Sequence, residues 1–138
     1  MASSVAFSIV SFGFLLPQVD VFFASRDIVK TYEKDAAGQK MGLFICGKLF
    51  VRGVSYYSGN QHMAVLTDDP KGSFYTKHSI PMISSAEDLR SLGQADFPAY
   101  CFLRKKEYDF LKTITGNHFK ITVLDGREER TLARLDKI

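Results

Sequence analysis

The sequence has no tryptophan, two cysteines, four prolines and no C-x-x-C pair. Cys46 and Cys101 lie inside apolar runs (GLFICG and AYCFL) with no histidine at ligand spacing, which argues against a zinc site. They read as buried thiols acting as small hydrophobes, with a disulfide as the alternative if neighbouring strands bring the sulfurs within reach. No apolar run is long enough to cross a bilayer. Val5 to Leu16 (VAFSIVSFGFLL) supplies about 12 residues where a span needs roughly 20. The run is not preceded by positive charge, which is wrong for a signal peptide. It is apolar on all faces rather than along one stripe. Three readings stay open: the end of a membrane helix cut from its preceding chain, a weak anchor, or a core element. The first is the working expectation, and Pro17 suits the end of such a helix.

Several signatures of chemistry are missing too. Neither G-x-G-x-x-G nor G-x-x-x-x-G-K-[ST] occurs, so CGKLFVRG, with Lys48 and Arg52, is a weak candidate for an anion-gripping loop. No G-x-S-x-G elbow and no Cys/His pair is present. His62, His78 and His118 have no paired spacing and read as surface or strand-end residues. Asp68 and Asp69, before Pro70, read as a solvated turn in preference to metal ligands or an acid–base pair. Eighteen basic against 15 acidic residues leave a net charge of +3, too little for a dedicated nucleic-acid binder. No catalytic residue, metal site or cofactor is expected.

What is present is one domain's worth of ordinary globular chain, 138 residues at 46% hydrophobic, enough to build a core. We divide it into an apolar segment, 1–19, and a single α/β domain, 20–138. Ser25 reads as a helix N-cap, with Ile28, Val29 and Tyr32 as one stripe and Gly38 as the end. Met41 to Cys46 suits a strand buried on both faces. Residues 48–59 fit either a short helix or a strand. His62 to Leu66 is a strand and Ile80 to Ile83 a short extended piece. The segment SSAEDLRSLG opens with a capping box, from Ser84 or from Ser85. Ala99 to Leu103 is a strand, and Lys105 to Thr115 a helix with Phe110, Leu111 and Ile114 inward. Phe119 to Leu124 is a strand, Asp125-Gly126 a hairpin turn, and Thr131 to Leu135 an edge strand carrying charge. Strands alternating with helices predict a three-layer α/β fold, a mainly parallel sheet flanked by helices with an antiparallel C-terminal edge hairpin.

Arg104, Lys105 and Lys106 form the tightest basic cluster, after a strand and at a helix start. Open α/β sheets bind ligands at the carboxyl ends of strands, so this is the place for anion contact. Tyr56 and Tyr57 either stack on a sugar ring or pack on the sheet. These five are the candidate substrate-binding residues.

The apolar N-terminal run, SRDIVKTY, GLFIC, SYYSGNQHMAVL, FYTKHSIPMISSAEDL and YCFLRKKEYDFL follow one another in an order that resembles a family. The family it resembles is the C-terminal soluble domain of bacterial membrane glycosyltransferases, of the dolichyl-phosphate-mannose-protein mannosyltransferase and lipid-A aminoarabinose transferase types. The resemblance covers about residues 5 to 124. It implies a membrane-embedded body ending in a last span and a small α/β domain on the periplasmic side of the inner membrane. It also implies a polyprenyl-phosphate-linked sugar as donor. The family's catalytic carboxylate lies in an early loop that this sequence lacks, so no catalytic residue carries over. The domain is expected to position acceptor or stabilise the catalytic face of the same polypeptide, with a polyprenyl-phosphate sugar or glycan acceptor as its partner and no nucleic acid. The alternative is a free-standing α/β binding module for a nucleotide or sugar.

Overall fold

The computed structural model describes residues 25–37, 42–60, 62–69, 80–127 and 129–138. The apolar run Val5–Leu16, the segment 1–19 of the domain division, and His78 lie outside them.

Residues 25–35 form helix α1. There follow β1 (Phe44–Cys46), α2 (Val51–Ser58), β2 (Met63–Leu66), β3 (Met82–Ile83) and α3 (Ala86–Arg90). A 3-10 turn at Gln94–Asp96 leads into β4 (Ala99–Leu103), α4 (Lys105–Thr115), β5 (Phe119–Arg127) and β6 (Arg130–Lys137). The six strands make one sheet in the order β3-β2-β1-β4-β6-β5. The first four are parallel, and β6 joins β4 and β5 antiparallel. The expected three-layer α/β architecture is what the chain adopts.

Every residue of β1, β2 and β4 is buried, because helices cover both faces. On one face Phe44, Cys46, Val65, Tyr100 and Phe102 pack against Ile28, Val29 and Tyr32 of α1 and against Val51 and Val54 of α2. Tyr32 lies edge-on to Tyr100 at 4.6 Å and to Phe44 at 4.8 Å, the geometry aromatic quadrupoles favour. On the other face Ile45, Ala64, Leu66, Cys101 and Leu103 pack against Leu89 of α3 and Leu111 of α4.

Residues 51–58 resolve as a helix, since Phe50, Val51 and Val54 share one buried stripe. Gly59 ends it at φ 67°, a left-handed conformation open to glycine, and donates its N–H to the Ser55 carbonyl. The cap of α3 is Ser85: its hydroxyl accepts from Asp88 N–H, and the Asp88 carboxylate accepts from the N–H and hydroxyl of Ser84. The Ser84 backbone bond above all holds Asp88 below the usual carboxylate range.

The inward face of α4 holds as expected, with Leu111 buried and Phe110 and Ile114 packed half-buried against the same core, and Glu107 and Thr115 are buried beside them. Three local expectations need correction. Ser25 is not a cap; it already lies within the helix and is buried. The hairpin does not turn at Asp125-Gly126, because Asp125 pairs with Leu132 and Gly126 with Thr131, so the turn falls between Arg127 and Arg130. A bulge between Val123 and Asp125 absorbs the register change. Finally, the edge strand is β5, not the segment Thr131–Leu135. That segment lies in β6, which sits between β4 and β5 and buries Leu132, Ala133 and Leu135 on alternate faces. Its charges misled because they are paired: Arg134 meets Asp136 at 3.0 Å and Asp35 at 3.7 Å.

Candidate functional site

From the carboxyl end of β1 the chain leaves through α2 on one face toward β2, while from the carboxyl end of β4 it leaves through α4 on the other face toward β5. The two crossovers diverge between β1 and β4. The carboxyl ends of those strands therefore flank a topological switch point, where open α/β sheets leave a crevice.

Four segments surround that crevice. β1 leaves the sheet through Gly47 and Lys48, the Gly47 N–H donating to the Phe102 carbonyl at 2.9 Å. β2 leaves through Thr67, whose hydroxyl exchanges hydrogen bonds of 3.1 Å with the backbone of Asp69. β4 leaves through Arg104, and α4 begins at once. The result is a cleft of about 220 Å³ whose charged lining is Lys48, Asp68, Asp69, Arg104, Lys106 and Glu107. That volume falls below the roughly 300–1,000 Å³ of pockets that enclose drug-sized ligands. It suits a charged headgroup better than a whole nucleotide.

Glu107 organises the cleft floor. Its carboxylate accepts from the Arg104 backbone N–H at 2.7 Å and from the Arg104 guanidinium at 2.6 and 3.0 Å. This is the third-position carboxylate of a capping arrangement, favourable beside the positive end of α4. It offsets the unfavourable placement of Arg104, Lys105 and Lys106 at the same helix end. Hydrogen bonding to Glu107 in turn raises the Arg104 pKa. Gly47 makes room for the carboxylate, since a Cβ there would lie 2.7 Å from Glu107 Oε2.

The structure brings together some of the expected residues and separates others. Arg104 and Lys106 line the cleft, and Lys106 reaches Asp68 at 3.2 Å. Lys105 is exposed on the first turn of α4 beside it. Of the candidate anion loop, Lys48 lines the cleft; Arg52 lies exposed on the first turn of α2. Tyr56 and Tyr57 sit near the end of α2, just before β2 begins, and so at the opposite, amino edge of the parallel strands. Their rings meet edge-on at 5.1 Å, Tyr57 packed against the core and Tyr56 outward. The five substrate-binding candidates therefore do not share one site. His62 is also at the amino edge, largely exposed and 2.9 Å from Asp96, and His118 is exposed beyond α4.

Sequence reasoning missed Glu107 and Thr67. Glu107 had a signal, a glutamate three residues after a helix-preceding Arg104, overlooked because capping boxes are sought behind Ser or Thr. The two cysteines lie on neighbouring strands yet face opposite ways: Cys101 pairs with Ile45 and Cys46 with Phe102, so the pleat sends one thiol to each face. Both are free and buried, and burial pushes both thiols up, Cys101 to about 12. That is the chemistry of inert core groups. Among the described residues no cluster of His, Cys, Asp or Glu is arranged to hold a metal ion. Nor is any helix among them long and apolar enough to cross a membrane.

Compared with protein-family models, curated proteins and solved structures, the chain has no match.

Proposed function

We propose that the chain is the non-catalytic, extracytoplasmic domain of a polyprenyl-phosphate-sugar-dependent membrane glycosyltransferase, held on the periplasmic side of the inner membrane. In this reading its switch-point cleft contacts the phosphate-bearing end of the lipid-linked donor, and sugar transfer belongs to the membrane-embedded body of the same polypeptide. The observation that carries the reading is the small cleft between β1 and β4, where Lys48, Arg104 and Lys106 stand beside Asp68, Asp69 and Glu107. Cations at strand carboxyl ends suit an anionic headgroup. The order of segments that resembles the glycosyltransferase domain supports the membrane setting. Tyr56 and Tyr57, on the far edge, have no part in the cleft.

The test is a titration of the isotopically labelled full chain with a short-chain prenyl phosphate, a sugar nucleotide and a neutral oligosaccharide, followed by amide shifts. The expected result is movement at Lys48, Thr67 and Arg104 to Lys106 with the prenyl phosphate. Movement of the same amides with the sugar nucleotide alone would favour a free-standing binding module. Silence there with all three would remove the cleft from the account.

A further inference from the structure

The position of α1 fixes which way the domain faces. Its last turn lies at the amino edge of the parallel strands, where the Tyr100 hydroxyl donates to Asp35 at 2.9 Å and Arg134 approaches the same carboxylate. Its first described turn lies at the carboxyl edge, where Asp27 is 4.0 Å from Arg130, the residue that opens β6 opposite Arg127. The 24 residues before Ser25, including the apolar run Val5–Leu16, therefore join the described fold at the carboxyl edge.

That edge carries unbalanced positive charge, with Arg26 and Arg52 on the α1–α2 face and Lys105 at the start of α4 on the other. Asp27, Asp68 and Glu107 are each paired with a cation. Arg26, Lys48, Arg52 and Lys105 have no ion pair among the described residues, and all but the half-buried Lys48 are exposed. Leu49, between two of them, is 51% exposed at the same strand end. Of the other acidic residues, Asp69 lines the cleft and Asp109, paired with Lys112, lies one turn along α4 from Lys105, while Glu87 and Asp88 at the start of α3 and Glu129 beside the β5–β6 turn lie apart.

We infer that this basic carboxyl edge docks on an anionic bilayer surface, at the edge where the chain preceding Ser25 joins the described fold. The inference rests on the membrane reading proposed above and adds the face that meets the lipid. Charge complementarity and the point where the apolar chain joins the fold favour it together. A basic side chain near an anionic surface strengthens binding about fivefold, and a neighbouring apolar side chain adds burial. The cleft mouth then opens toward the headgroups.

The experiment uses the full chain in nanodiscs of phosphatidylcholine mixed with phosphatidylglycerol, carrying a paramagnetic label on the lipid headgroup. Amide signals of Leu49, Arg52 and Lys105 are expected to be attenuated several-fold more than those of Gly59, His62 and Asn117 at the amino edge. The double variant Arg26→Glu/Arg52→Glu changes exposed side chains outside the cleft, and circular dichroism checks its fold. It is expected to lose most of that contrast, as is the native chain in phosphatidylcholine alone. Equal attenuation at both edges, stronger attenuation at the amino edge, or a contrast indifferent to lipid charge overturns the docking face while leaving a membrane-anchored domain intact. Failure of the native chain to associate with either nanodisc overturns the docking and the membrane reading together.

Discussion

The two ends of the parallel strands are closed by different means. At the amino edge the backbone itself fills the space. Leu43 N–H donates to Asp96, Phe44 N–H to His62 and Tyr100 N–H to Leu43, and Gly42 lies against the Pro98 carbonyl. At the carboxyl edge the space beyond β1 and β4 is filled by the Glu107 carboxylate and the guanidinium it binds. Backbone closure leaves nothing that a ligand can displace without breaking the sheet. Side-chain closure leaves charged groups able to exchange one partner for another, and that is why the cleft sits there.

Paired substitutions break the comparison most sharply. Gly42→Ala drives a methyl into the Pro98 carbonyl oxygen and within 3.0 Å of the Asp96 oxygen, backbone atoms that cannot swing aside. A loss of about 3 kcal/mol is expected in chemical denaturation. Gly47→Ala meets the Glu107 side chain first, so the carboxylate yields and loses its hold on Arg104. The expected loss is about 2 kcal/mol, from the cap and the charge-assisted bonds together. If Gly47→Ala proves the costlier, the two closures have been assigned the wrong way round.

Tyr100→Phe removes one hydroxyl from the amino edge and its bond to Asp35, a loss of about 1 kcal/mol at neutral pH. Burial first, and then the bond to Asp35, raise the Tyr100 pKa above its ordinary 10.0. The folded chain holds this proton more tightly than the unfolded one. Its contribution is complete below pH 10 and falls as pH rises beyond it. Cys46 and Cys101 act with the same sign from their ordinary 9.0 upward. Alkaline unfolding curves are therefore expected to steepen above pH 9, and more gently in Tyr100→Phe than in the native chain. An identical slope in the two would show that the phenol ionises as freely folded as unfolded. Least of all, His62→Ala, at a largely exposed pair with Asp96, is expected to cost under about 0.5 kcal/mol.

The three buried strands were legible because helices on both faces demand unbroken apolar runs, and GLFIC, HMAVL and AYCFL are such runs. The helix at 51–58 was ambiguous because its apolar stripe spans barely two turns. The place of β6 was not legible: Arg134 and Asp136 look solvent-facing until Asp35, a hundred residues earlier, is seen beside them. The site was half legible. The basic cluster after β4 pointed to the edge where the cleft lies, since α/β topology puts every such helix start there. Tyr56 and Tyr57 were grouped with it by residue type, and only the direction of α2 shows that they end at the other edge.

The carboxyl edge as the working edge is tested most directly by calorimetric titration of a short-chain prenyl phosphate into three forms of the full chain. The native chain is compared with Lys48→Ala/Lys106→Ala at the carboxyl edge and His62→Ala at the amino edge. The account predicts about tenfold weaker binding in the double variant, the loss of two charged contacts, and native affinity in His62→Ala. Native affinity in the double variant, or a matching loss in His62→Ala, would contradict it.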